Sequence, residues 1–422
     1  MLEQLYLRYF RNYKELIFEP GPGLSVLTGP NGSGKSNLLE GIFYLGAGYP
    51  YRIAHDEALV SWGADFFAIR ARVLKGNIRY DIEIAYQSET SRKTIKINGK
   101  REHAGVCASC LPVVVFSPAD LLLIQGPPGL RRRFLDLVAT QVQAQHAADL
   151  HDYGDVLNQR NNLLRRGGYH REELQPWDEQ LVALGARIIN RRLSVFRELL
   201  GHGRSAFATL SCNGELDGAY ISHVTPPFID KDVSRAAFGS SLEITSEGMP
   251  GGAHMSERRI ISGSASWSIS DSKNGRPEQG HPGSGEELCR QAFQEALERR
   301  RSLDERLRMT TVGPHRDDLR FFLQGHEARL YCSQGEQRLI ALSLKLAQSR
   351  ILSGLQGSET LLLLDDVFSE LDAAHRERVL QEASRCRQAI ATTTSLREGD
   401  VPVGQLTPLI SLYRVANWKQ LQ

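Results

Sequence analysis

Gly29-Pro30-Asn31-Gly32-Ser33-Gly34-Lys35-Ser36 follows the short apolar run Leu24-Ser25-Val26-Leu27-Thr28 and opens a stretch of helical character from about Lys35 to Tyr44. It fits G-x-x-x-x-G-K-[ST] in the setting that pattern requires, a strand feeding a turn that opens a helix. Each residue type has a physical reason. Glycines let consecutive backbone N–H groups turn inward on an anion, where side chains would block approach. The helix N-terminus adds positive potential at the anion. Lys35 is placed to reach the β- and γ-phosphates of a nucleotide, and the Ser36 hydroxyl to ligate Mg²⁺. A glycine-rich turn that binds nothing would need neither the strand nor the helix.

Far along the chain, Leu361-Leu362-Leu363-Leu364-Asp365-Asp366 reads as a buried strand that ends in an acidic pair. Asp365 suits the Mg²⁺ shell, and Asp366 suits polarising an attacking water. Just upstream, Ser333-Gln334-Gly335-Glu336-Gln337 opens a helix running to about Arg350; alone, it reads as a helix N-cap. Ser369-Glu370-Leu371-Asp372 follows the acids.

In this order the four elements resemble an ABC-type ATPase, with Walker A, signature, Walker B and D-loop. That resemblance implies a head-to-tail dimer in which Ser333, Gln334 and Gly335 of one protomer close over the γ-phosphate held by another. A P-loop kinase is disfavoured by the signature and D-loop. The chain between Lys35 and Ser333 is far longer than the compact helical subdomain of a transporter ATPase. The layout is similar to the SMC and DNA-repair branch, in which a helical arm interrupts the lobe, although this arm is too short for a true SMC protein.

Composition sets the outer bounds. At roughly 150 residues per domain, 422 residues suggest two or three domains, and 41% hydrophobic with 24% charged residues is a globular balance. Fifty-one basic against 49 acidic side chains give a formal net charge of +2, so any nucleic-acid contact must come from local patches. No apolar run approaches the roughly 18 residues of a membrane span. The N-terminus mixes Glu3, Arg8, Arg11 and Lys14 into its apolar residues, unlike a signal peptide. These features lead us to expect a soluble cytoplasmic protein with reduced cysteines. Cys107-Ala108-Ser109-Cys110 has no second pair or His pair nearby, which argues against zinc.

Alternation predicts two strands within 2–28 and an antiparallel hairpin layer over 66–98. From about Arg131 the period turns helical. Two helical stretches around Gly167-Gly168 read as an antiparallel hairpin or as an ordinary helical subdomain. Residues 239–285 are dense in Gly, Ser and Pro and read as a flexible insertion with no required structure. Helix returns at about Glu286. The expected fold is α/β: an ABC-type P-loop ATPase lobe with an antiparallel β layer from 1–130 plus 309–422. A helical, short coiled-coil arm domain over 131–308, carrying the insertion, interrupts it.

Further strings sharpen the resemblance to the RecF family of bacterial replication and recombinational repair proteins. They are Phe10-Arg11-Asn12-Tyr13; Phe116-Ser117-Pro118-Ala119-Asp120; Gly126-Pro127 with Arg131-Arg132-Arg133-Phe134-Leu135-Asp136; and Gly313-Pro314-His315-Arg316-Asp317-Asp318. The resemblance implies that Arg11 and Asn12 lie beside the nucleotide. It further implies an ATP- and Mg²⁺-dependent homodimer that clamps double-stranded DNA and single-strand gap regions, with weak, DNA-stimulated hydrolysis releasing it. RecO and RecR are the implied partners, and RecA loading the implied outcome. A non-hydrolysing ATP-gated DNA scaffold is the alternative. For DNA contact the sequence offers Arg187, Arg191 and Arg192 on the arm, then Arg131, Arg132 and Arg133. Clustered arginines suit phosphates but also pair with acids, as Arg299 to Arg301 would with Glu295 in their own helix. Ala391-Thr392-Thr393-Thr394 stands where many ABC ATPases carry a switch His, and Gln125 fits either a Q-loop or an exposed loop.

Overall fold

A computed structural model describes residues 1–52, 55–102, 104–168, 170–211, 214–224, 259–262, 283–356, 360–394 and 410–414. Strands β1 (Leu2–Phe10), β2 (Tyr13–Phe18) and β3 (Gly23–Thr28) lead to helix α1 (Lys35–Ala47). Then come β4 (Phe66–Lys75), β5 (Ile78–Gln87), β6 (Arg92–Ile97), β7 (Lys100–Glu102), α2 (Ala104–Cys110) and β8 (Val113–Phe116). The helical middle holds α3 (Leu122–Gln125), α4 (Pro128–Val142), α5 (Gln145–Arg166) and α6 (Arg171–Leu210). It continues through β9 (Leu216–Ser222), β10 (Arg259–Ser262), α7 (Gly283–Leu307), β11 (Asp318–Leu323), β12 (His326–Glu327) and α8 (Ala328–Tyr331). The C-terminal part is α9 (Gln334–Gln356), β13 (Leu361–Leu364), α10 (Ala373–Arg385), β14 (Gln388–Thr393) and β15 (Ile410–Arg414).

These elements form two compact units. The first joins 1–121, 205–213 and 334–422; the second holds 122–204 and 214–333. Against the expected division at 130/131 and 308/309, the second unit also takes in 122–130 and 309–333. β11 is drawn there because it pairs antiparallel with β9 in a sheet ordered β10-β9-β11-β12.

In the first unit, β3, β8, β13, β14 and β15 make a parallel sheet ordered β15-β3-β14-β13-β8, while β2-β1-β4-β5-β6-β7 form an antiparallel sheet. The expected hairpin layer over 66–98 is the β4-β5-β6 part of that second sheet. One core joins inward residues of the antiparallel layer (Leu5, Leu7, Ile69, Ile84) to α1 (Leu38, Leu39, Ile42, Leu45) and to the parallel strands (Val113, Leu361, Ile390). α1 is buried nearly all round, so it needs close neighbours on every side. A Cβ on Gly46 would meet Val113 Cγ1 at 2.5 Å and the Leu111 carbonyl at 2.6 Å. Glycine is what lets the helix lie that close to β8. Cys107 and Cys110 face this core from α2, and burial pushes the Cys107 thiol up to about 11, the behaviour of an inert cysteine.

In the second unit, α5 and α6 form the expected antiparallel hairpin, with Gly167 and Gly168 at positive φ in its turn. Asp149 takes Arg187 and Arg191, while Arg160 takes Asp178, so positions descend on one helix as they rise on the other. α7 joins as a third helix: a Cβ on Gly185 would stand 2.2 Å from Phe293. Fully buried Arg160 ties all three, donating to Asp178 Oδ1 at 2.7 Å, and to Asp304 Oδ2 and Thr310 Oγ1 at 2.8 Å. The segment 239–285 was expected to need no structure, yet Arg259–Ser262 within it form β10 on β9; beyond these and 283–285, it lies outside the described residues.

The 313–318 segment locks this unit. Pro314 O accepts from Arg192, and the Asp317 carboxylate accepts from Tyr220 and Ser222. The Asp317 carbonyl accepts from Arg132, and Asp318 takes Arg131. His315 Nε2 faces the Thr310 carbonyl at 3.2 Å, which can only accept, so this nitrogen carries the proton; Nδ1 then accepts from Tyr153 at 2.8 Å. Burial, aided by the neighbouring arginines, lowers the His315 pKa from 6.5 to about 4. The fold therefore holds neutral imidazole. Its stabilisation is complete above the unfolded pKa and is lost as pH falls toward the folded one, about 2 kcal/mol between pH 7 and 5. His315→Gln can keep both hydrogen bonds without titrating, so its thermal midpoint should fall less than the wild type's from pH 7 to 5; equal falls would contradict this account.

Candidate functional site

The loop between β3 and α1 turns through left-handed backbone at Gly32 (φ 78) and Gly34 (φ 104), conformations that favour glycine. Gly34 is doubly constrained, because a Cβ there would lie 2.6 Å from Asn12 Nδ2 and 2.7 Å from Tyr13 OH. Tyr13 OH in turn donates to the Gly34 carbonyl at 2.9 Å, and Asn37 Nδ2 donates to Asn12 Oδ1 at 2.8 Å. The 10–13 string thus braces the loop from one side. Arg11 does so at one remove: its Nε reaches Glu40 of α1 at 2.8 Å and its Nη1 the Ala58 carbonyl at 3.0 Å.

Lys35 is curled across the loop, its Nζ donating to the carbonyls of Gly29 at 2.6 Å and Pro30 at 2.9 Å. Burial lowers its pKa, against the opposing pull of Asp366 and Asp365. Ser33 Oγ is buried there with no hydrogen-bond partner among the described residues, a polar group suited to an incoming anion.

Asp365, 1% exposed, is where the two ends of the chain meet. Its Oδ1 accepts from Ser36 Oγ at 2.6 Å and from Thr392 Oγ1 at 2.9 Å. Its Oδ2 accepts from Arg52 Nη2 at 2.5 Å and Tyr51 OH at 3.1 Å. Ser36 Oγ and Asp365 Oδ1 are adjacent hard oxygen donors of the kind Mg²⁺ takes. Asp366 follows in left-handed backbone (φ 51), with its N–H donated to Thr392 Oγ1 at 2.9 Å. Thr392 therefore bridges both acids. Its hydroxyl serves them directly, from the 391–394 segment that stands where many ABC ATPases carry a switch His.

Gln334, Gly335 and Glu336 stand exposed at the start of α9, immediately after exposed Ser333. Asp372 caps α10, accepting from the His375 N–H at 2.9 Å. Gln125 ends α3 in the second unit. Tyr13, Glu40, Tyr51 and Arg52 were missed in the sequence. Only Tyr13 carried a signal, as the last residue of its string.

The arginines chosen for DNA sort differently. Arg131 is buried and clasped by Asp318 at 2.7 and 3.1 Å, and its Nη1 donates to the Gly126 carbonyl. Arg192 is buried and clasped by Asp136, both contacts at 2.7 Å. Both expectations are corrected: these guanidiniums are spent inside the second unit and do not face DNA. Arg187 and Arg191 share the single carboxylate of Asp149, while Arg133 is exposed and Arg132 half-buried. In the 299–301 run, only Arg299 pairs within its own helix, with Glu295; Arg301 crosses to Asp178 on α6.

A phosphate loop after one parallel strand, opposite an acid-ended strand two places along the same sheet, with an antiparallel layer closing the core, defines an ABC-type ATPase lobe. The model of the RecF/RecN/SMC N terminal domain family matches residues 1–404. The DNA replication and repair protein RecF of Moorella thermoacetica is 34% identical over 398 residues, covering 94% of this chain and 90% of that protein. RecF of Symbiobacterium thermophilum is 35% identical over 400 residues, covering 94% and 92%. The solved structure of the recombination mediator RecF-ATP in the RecFOR pathway superposes with a TM-score of 0.72 at 28% identity, covering 94% of this chain and 92% of that one. The chain belongs to the RecF family. Among the described residues, no helix is long and apolar enough to cross a membrane.

Thr392→Val should lower stability by about 1–3 kcal/mol, because the isosteric side chain leaves the Asp366 N–H and one Asp365 lone pair unmatched. Thr392→Ser should stay near wild type. Denaturant midpoints measure both, and a wild-type midpoint for the valine variant would contradict the bridging role.

Proposed function

We propose that this protein is a cytoplasmic ATP-gated DNA clamp of replication and recombinational repair. The observation that carries the reading is the Ser36–Asp365 contact at 2.6 Å beside a glycine loop whose buried Ser33 Oγ has no partner among the described residues. The loop N–H groups and Lys35 cradle the triphosphate of ATP. Ser36 and Asp365 would hold Mg²⁺, which neutralises charge on the β- and γ-phosphates. Binding requires Lys35 to release the Gly29 and Pro30 carbonyls, and Asp365 to release Arg52. Asp366 orients the attacking water and takes its proton, with its backbone fixed by Thr392.

The exposed start of α9 supports dimerisation. A second copy's Ser333 to Gly335, at a helix N-terminus, complements the γ-phosphate of the first and closes two ATP molecules between two chains. The closed dimer grips DNA at single-strand gaps, and weak, DNA-stimulated hydrolysis reopens it. The relatives' role in replication and repair, and the RecFOR pathway named for the solved RecF, support RecO and RecR as partners, with RecA loading as the outcome.

Ser333→Arg should leave ATP affinity near wild type and abolish ATP-dependent dimers in sedimentation, since a bulky cation would occupy the facing phosphate site. Normal dimers would rule out the sandwich. DNA affinity should rise with ATP and fall steeply with salt; equal affinity in both nucleotide states would remove the gating.

A further inference from the structure

The 313–318 string spends Pro314, Asp317 and Asp318 on internal bonds, but turns Arg316 outward. Arg316 lines a cavity of ≈ 650 Å³ in the second unit together with Arg132, Arg300 and Arg320; among the described residues Asp318 is the one acid in its wall. That carboxylate is already clasped by Arg131. Arg320 pairs with Glu327 at 3.4 Å. Among the described residues, Arg132, Arg300 and Arg316 have no carboxylate partner in an ion pair. Two of them are aimed by main-chain carbonyls: Arg132 Nη1 donates to Asp317 O at 2.6 Å, and Arg316 Nη2 to Thr310 O at 3.3 Å. A guanidinium has five donors, so each keeps most of its fork for a ligand, already oriented. Burial and the Arg192 charge lower the Arg132 pKa, against the opposing pull of Asp317, Asp318 and Asp136.

We infer that this cavity binds the phosphates of a single DNA strand. The inference rests on the DNA-binding reading above and names the residues that do it. Arginine forks match phosphate oxygens two at a time. Leu307 (51% exposed) and Met309 (38% exposed) also line the wall and offer apolar surface to a sugar or an unstacked base. The volume is that of a small-ligand site. It admits a strand's backbone with its base turned aside, whereas a duplex could only lay phosphates across the mouth.

The test is anisotropy of a labelled oligothymidine and of a labelled duplex on the full chain with ATP, across a salt series. Arg300→Glu and Arg316→Glu should each weaken the single strand about tenfold, more than the duplex, and reduce the salt slope by about one. Arg316→Lys should recover part of the loss, and thermal midpoints check folding in each variant. Wild-type binding that both reversals leave unchanged overturns this inference alone. So does a duplex weakened as much as the strand, or a loss confined to polyglutamate, which would mark an acidic protein partner. Wild type that binds no DNA in either nucleotide state overturns the clamp reading, and this inference with it.

Discussion

One hydrogen bond organises the first unit: Ser36 Oγ to Asp365 Oδ1, 2.6 Å long and 329 residues apart in sequence. It requires the loop after β3 and the end of β13 to open on the same edge of one sheet. The order β15-β3-β14-β13-β8, parallel throughout, does that by setting both strands against β14 with their C-terminal ends together. Ligands of open parallel sheets sit at such ends. For a flexible chain, closing so long a loop costs only about 5 kcal/mol, because the penalty grows with the logarithm of length. Burying the four leucines of β13 contributes about 1.5–3 kcal/mol each, which exceeds that cost. The chain can therefore insert a whole second unit between the halves of its nucleotide site.

That second unit uses charge for position more than for strength. Arg160 is fully buried among Asp178, Asp304 and Thr310, and Arg192 between Asp136 and the 313–318 turn. Burying ions costs so much solvation that such pairs contribute little net stability, while removing one partner is severe. What they fix is register. Arg160 can satisfy its three partners at only one relative setting of α5, α6 and α7. Apolar stripes alone would tolerate a slip.

The same fact marks where the sequence becomes opaque. The phosphate loop, the apolar strand before the acids, the antiparallel layer and the glycine turn of the hairpin are local patterns and could be read directly. Arg187, Arg191 and Arg192 also form a local pattern, but what decides their role is Asp149 and Asp136, which lie on other helices. Tyr51 and Arg52 reach Asp365 from 314 and 313 residues away, a pairing without any local signature. β10 was hidden for a related reason: four residues in a Gly- and Ser-rich stretch become a strand only because β9 offers an edge.

Thr392 shows how much a long-range contact can change the meaning of a residue. Left-handed backbone at a residue other than glycine costs roughly 1–2 kcal/mol, and Asp366 adopts it at φ 51. The N–H that this turn frees is accepted by Thr392 Oγ1, and the same hydroxyl donates its proton to Asp365. A hydrogen bond to a charged acceptor is worth about 1.5–3 kcal/mol, enough to offset the strain. One hydroxyl thus holds Asp365 and Asp366 in different orientations one residue apart. A histidine there could not repeat this arrangement, because a ring nitrogen cannot accept from the Asp366 N–H and donate to Asp365 at once. The threonine therefore ties the two acids to one strand end through a single neutral hydroxyl, a role that an imidazole could not fill.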